Sequence, residues 1–168
     1  MKRVLTKIGD IFAVKIDDDI QKFFQLIAYD LTQLNSDVIR AFEKKYPLQA
    51  EIDSSEIVMG KVEFYAHCIT KSGVRLGYWA KIGRSSDVGE LDHILFRDTN
   101  DYGHAAGSEP ITLSNRWYIW HIGDLNFTSV GRLEGENRKA EIGVVMDPES
   151  IVNRMTTGEY GGFYPDYE

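Results

Sequence analysis

The sequence predicts a mainly β domain of the α+β class, an antiparallel, partly curled, barrel-like sheet with an N-terminal meander and one C-terminal helix. Three observations lead there. Short runs of aromatic and β-branched residues alternate at period two. Clusters of Asp, Asn, Ser and Gly separate those runs. A full set of helix start and stop signals occurs only around "DPESIVNRMTTG".

"GDIFAVKI" predicts the first strand, with Ile11, Ala13 and Lys15 on one face and Phe12, Val14 and Ile16 on the other. The acidic run Asp17 to Asp19 turns the chain. "KFFQLIAYD" predicts the second strand, placing Phe24, Leu26 and Ala28 opposite Phe23, Gln25, Ile27 and Tyr29. Ile27, Leu31, Leu34 and Val38 also fit a helical stripe. Against a helix stands "NSD" at Asn35 to Asp37, because these side chains compete for backbone hydrogen bonds and favour turns. "DVIRAF" then alternates Val38, Arg40 and Phe42 against Ile39 and Ala41. The reading over 26–42 is therefore strand, polar loop, strand, which completes a three-strand meander typical of small barrels.

"DSSEIVMG" suits one helical turn capped by Asp53 or Ser54 and stopped at Gly60. "KVEFYAHCIT" predicts a strand with Val62, Phe64, Ala66 and Cys68 on one face and Glu63, Tyr65, His67 and Ile69 on the other. Ser72 and Gly73 predict a turn, after which "VRLGYWAKIG" runs back as a strand. "DHILFRD", "RWYIWHIG", "FTSVGRL" and "AEIGVV" predict further strands, the middle two as a hairpin. In the helix, Asp147 suits the N-cap, Pro148 the first position and Gly158 the C-terminal stop, with Ile151, Val152 and Met155 as the buried stripe. The aromatic tail, with Tyr160, Phe163, Tyr164 and Tyr167, is expected to lie against the body.

The chain has 168 residues, the usual size of one domain (1–168), and 43% are hydrophobic, enough for a core without staples. A single Cys excludes an internal disulfide and zinc sites with two Cys ligands from this chain. No run of about eighteen apolar residues occurs, so no helical membrane span is expected. With no secretory leader legible either, the expected setting is the cytoplasm. Nineteen Lys and Arg against 26 Asp and Glu give a net charge of −7, which argues against direct nucleic-acid binding and suits a basic protein partner.

No motif names a reaction. His67 and Cys68 are neighbours on a strand and point to opposite faces, so they form no dyad, and Cys68 reads as buried and inert unless His93, His104 or His121 approaches it. In "DTNDYGHAAGSE", Asp98, Asn100, Gly103 and Glu109 fall at calcium-loop positions, but Tyr102 and Ala105 break the pattern and no flanking helices are expected. No phosphate-binding glycine fingerprint and no "GXSXG" elbow occurs. No cofactor and no metal are expected. Trp117 and Trp120, on opposite faces of one strand, read as core or as interface anchors. Asp30, Gln33, Asn35 and Asp37 offer acceptors and amides at the rim of the sheet, where a polar connection presents binding residues, or else only satisfy the turn. Arg40 is expected to pair with Asp30 or Asp37 and hold the loop's shape. Replacing Asp30, Gln33 and Asp37 together is expected to leave the fold stable.

"KIGDIFAVKI" followed by "KFFQLIAYD", together with "LGYWAKIG", resembles immunity protein family 26 of bacterial polymorphic toxin systems. The resemblance covers the first thirty residues or so and a short middle piece. It implies a small β-rich, cytoplasmic, non-enzymatic protein that binds and neutralises a cognate protein toxin or effector, and it transfers no catalytic residues. The alternatives are a small hydrolase or nucleic-acid-processing enzyme, marked by a cleft gathering His67 or His121 with carboxylates, and a phage or plasmid inhibitor of a host defence protein.

Overall fold

The computed structural model describes residues 3–101 and 107–168. Strands β1 (Asp10–Lys15), β2 (Ile20–Asp30) and β3 (Ser36–Phe42) make the expected antiparallel meander. The stretch over 26–42 is strand, turn, strand, and the turn occupies only residues 31–35. Asn35 takes a left-handed φ of 47°, which Asn tolerates better than most residues because its amide can bond locally.

A two-residue β4 (Tyr46–Pro47) caps the start of β2. Helix α1 (Ser54–Val58) begins at Asp53, whose carboxylate accepts the Ser55 N–H. β5 (Val62–Cys68) pairs antiparallel with β3. Beyond β5 the fold departs from the expected turn and long strand. Residues Thr70–Leu76 form a helix, α2, and only Ala80–Arg84 return as strand β6 beside β1. Gly73 is no turn residue. A Cβ there would sit 2.0 Å from the Trp79 indole, so the helix approaches the ring as only glycine permits.

The second sheet holds β7 (Leu95–Thr99), β8 (Trp117–His121) and β9 (Thr128–Gly131). "AEIGVV" does not form one strand. It splits into β10 (Glu141–Ile142), parallel to β7, and β11 (Val145–Met146), parallel to β5. These parallel pairs correct the all-antiparallel expectation, and six residues thereby bridge both sheets. The main sheet runs β11-β5-β3-β2-β1-β6 with β4 on β2. Its end strands do not pair, so the sheet is open rather than closed into a barrel. Helix α3 (Pro148–Thr157) matches its predicted signals, with Asp147 accepting the Ser150 N–H and Gly158 in the left-handed region.

The main sheet lies in the middle of the molecule. One face buries Phe12, Phe24, Leu26, Ile39, Phe64 and Cys68 beneath Trp79 and the Ile151–Met155 stripe of α3. The other face is covered twice. Ile11, Phe23 and Phe42 meet Ile57 and Val58 of α1, and Ile27, Ala28 and Val38 meet Phe96 and Trp120 of the second sheet. Each such aromatic or branched side chain, fully buried, contributes about 1.5–3 kcal/mol before entropy is counted.

One irregularity decides the site. β2 and β3 pair Leu26 with Ile39 and then Ala28 with Val38, so Ile27 is the extra residue of a bulge. Strict alternation puts Ala28 beside Leu26. The bulge shifts the parity, and Ala28 joins Ile27 and Val38 under the second sheet.

Candidate functional site

The bulge also carries Asp30 inward. Its side chain is fully buried, accepting the Trp120 indole N–H at 3.2 Å and the Thr32 hydroxyl at 3.2 Å. The His67 ring, 0% exposed, lies 3.7 Å from Asp30 Oδ2 through Nε2 and 2.9 Å from Ser36 Oγ through Nδ1. Burial pushes the His67 pKa from 6.5 down to about 4, with Asp30 opposing that shift. The imidazole is therefore neutral near pH 7, and the contact with Asp30 is not an ion pair there. Nε2 makes no hydrogen bond. A proton on Nε2, facing the carboxylate, with Nδ1 accepting from Ser36, is the tautomer the surrounding charges favour. Serine, histidine and aspartate thus meet, but all are closed off from solvent, and no substrate reaches them in this conformation.

The other predicted residues separate. Asp37 Oδ2 accepts the Thr70 N–H at 2.8 Å and the Thr70 hydroxyl at 2.5 Å, so it caps α2 from the neighbouring strand. Gln33 donates to the Asp124 carbonyl at 2.7 Å and ties the turn to the loop after β8. Asn35 is exposed. Arg40 pairs with neither Asp30 nor Asp37, which corrects that expectation. It lies opposite Gln25 in the ladder, donates to the Gln25 side chain at 2.9 Å and to the Asp87 carbonyl at 2.9 Å, and so clamps the loop after β6. Trp117 and Trp120, offered as interface anchors, are 0% and 1% exposed and present no surface to a partner. Trp117 bonds the Ser114 carbonyl and lies against Tyr164 and Tyr167 of the tail.

What the turn end exposes includes apolar side chains among polar ones. A groove of about 430 Å³ is bordered by Leu5, Tyr29, Leu31, Asn35, Asp37 and Lys71. Leu31 is 71% exposed and Leu5 59%; Leu125, in the loop that Gln33 holds, is 82% exposed. The N-terminal segment is fixed there by Tyr29, whose hydroxyl donates to the Thr6 carbonyl, and by the Thr70–Thr6 hydroxyl contact. Sequence reasoning missed these leucines, because single apolar residues inside polar connections look like noise. The available signal was the position of Leu31 and Leu125 in connections between strands, where burial is hardest.

Cys68 is buried on the helix side of the main sheet, opposite His67, and burial pushes its thiol pKa well up. Of the calcium-like loop, Tyr102, Gly103 and Ala105, with His104, lie outside the described residues. The Asp98 carboxyl is engaged by the Thr99 N–H and the Tyr164 hydroxyl, and burial raises its pKa. Among the described residues no group of three or more His, Cys, Asp or Glu is arranged to hold a metal ion. No described helix is long and apolar enough to cross a membrane.

No protein-family model, curated protein or solved structure matches the chain. The resemblance carried by "KIGDIFAVKI" and "LGYWAKIG" therefore rests on those motifs alone.

Proposed function

We propose that this chain is a protein-binding module of the immunity type, acting in the cytoplasm to bind and neutralise a protein toxin or effector. The β2–β3 turn end is its contact surface. The observation that carries this reading is the pair of exposed leucines, Leu5 and Leu31, bordering a groove at one end of the main sheet, with exposed Leu125 in the loop that Gln33 ties to the same turn. Folded monomers seldom leave such residues grouped in the open without use. Asn35, Asp37 and Lys71 border the same groove, a polar edge beside apolar side chains as in protein interfaces.

Electrostatics enter differently from the sequence expectation. Asp30 is fully buried, and Asp37 borders the groove but is tied to Thr70. The groove itself is bordered by Arg3 and Lys71. Attraction of a basic partner would come from the net charge of −7 at long range, with the contact itself apolar.

The test is capture and identification of a partner from the native host, followed by titration of the purified partner against wild type and a Leu31→Asp, Leu125→Asp double variant. The double variant should melt like wild type, because exposed substitutions cost within about 0.5 kcal/mol. Its affinity should fall by about a hundredfold, the loss of two apolar hot-spot contacts. Equal affinity for the identified partner would remove the turn end from the interface.

A further inference from the structure

A second cleft, which shares no lining residue with the turn-end groove, lies beside β11 and α3, and no role in the turn-end reading involves it. It encloses about 820 Å³ between the bridging segment 138–147, α3 and the tail 158–164. That volume lies within the ~300–1,000 Å³ range of small-molecule sites. Its cationic side chains are Arg97, Arg138, Lys139 and Arg154, against Glu141, Asp147 and Glu159, a local excess of one positive charge in a chain that carries −7 overall.

The pairing within the cleft singles out one residue. Arg154 holds Glu141 at 2.9 Å and lies over the Phe64 and Tyr160 rings. Arg138 pairs with Glu168, and Lys139 with Glu136. Asp147 is occupied as the cap of α3. Arg97 alone among these cations has no ion pair with a described residue. It is stacked between the Trp117 and Tyr167 rings, at 5.5 and 5.0 Å, and donates through Nη1 to the Ala140 carbonyl. Its Nε is buried without a hydrogen-bond partner. Two aromatic faces and one carbonyl orient the guanidinium, and the one carboxylate that feels its charge, Glu141, is held by Arg154, so Arg97 has no direct ion-pair contact. A rigid, partly dehydrated guanidinium is the usual receiver of carboxylate and phosphate groups. The lining is mixed, and Val145 and Phe163 are its exposed apolar side chains. Val145 is 38% and Phe163 46% exposed.

We propose that this cleft binds a small organic anion, an acidic head group of carboxylate or phosphate type on an apolar or planar body, with the head group on Arg97 and the body against Val145 and Phe163. The site is independent of the turn end, so either reading can fail without the other.

The probes are phenyl phosphate and benzoate, with benzyl alcohol as the neutral analogue and inorganic phosphate as the bare head group. Thermal melts and backbone-amide NMR titrations read the binding. At least one aromatic anion at millimolar concentration should raise the melting temperature saturably and move amide resonances in 140–146 and 158–163, and benzyl alcohol should do neither. The stronger of phenyl phosphate and benzoate identifies the head group, and a weaker response to inorganic phosphate at the same amides supports the role of the body. Arg97→Met should weaken binding by about tenfold or more, the usual cost of one charge-assisted contact. If that variant does not fold, Val145→Trp, at an exposed wall, fills the cleft and should abolish binding with the fold intact. No saturable response to either anion, resonance changes elsewhere, an equal response to benzyl alcohol, or unchanged affinity in the folded variants overturns the proposal.

Discussion

The Asp30 carboxylate accepts the Trp120 indole N–H at 3.2 Å, across 90 positions of sequence, and joins the two sheets at the turn end. This reverses the expectation for replacing Asp30, Gln33 and Asp37 together. Asp30→Ala alone strands the buried indole N–H and removes the acceptor of the Thr32 hydroxyl. It should cost about 2–4 kcal/mol of stability. Asp37→Ala adds about 1 kcal/mol for the lost cap on α2. Urea denaturation of the triple variant checks this, and a midpoint near wild type would show that the Asp30 contacts contribute nothing.

His67 makes stability depend on pH. Its folded pKa is about 4, below the ordinary 6.5, because burial disfavours the imidazolium. Between those values the unfolded chain binds a proton that the folded chain refuses, so stability falls as pH falls through the window and is fully present above it. The loss should reach about 2–3 kcal/mol by pH 4.5. Denaturation of wild type and His67→Gln at pH 7 and pH 4.5 measures this share. An identical pH dependence in the two proteins would mean that His67 is not held neutral by the fold.

Gly73→Ala tests the helix that sequence reasoning missed. A Cβ at 2.0 Å from the Trp79 indole forces the ring away and breaks its bond to the Thr70 carbonyl. The expected cost is about 1–3 kcal/mol, although alanine is the better helix former. A thermal melt decides the sign. A more stable variant would show that α2 has room to move off Trp79.

The meander and α3 are legible in the sequence because their signals are local. Alternation in "GDIFAVKI" and "DVIRAF", and the Asp147, Pro148 and Gly158 punctuation, need no knowledge of the rest of the chain. α2 is not legible, because its N-terminus is capped by Asp37 from another strand and its glycine is set by contact with Trp79. The bulge at Ile27 is equally hidden. Nothing in "FQLIAYD" announces it, yet it moves Asp30 from an expected surface position into the interior. β10 and β11 read as one strand because a run of alternating residues does not say which sheet each pair joins. The turn end is legible in the sequence as a polar connection between two apolar strands, but what its side chains do is not. The polar residues that draw notice are mostly spent on the fold, and the inconspicuous leucines face solvent.

The central claim is that the turn end is the contact surface, and site-specific photo-cross-linking in the native host tests it most directly. A photoreactive residue goes at position 31, at position 125, or at position 18, where Asp18 sits exposed in the turn at the opposite end of β2. The account predicts the same single protein cross-linked from positions 31 and 125 and none from 18. A partner cross-linked only from position 18, or no partner from any of the three, would contradict it.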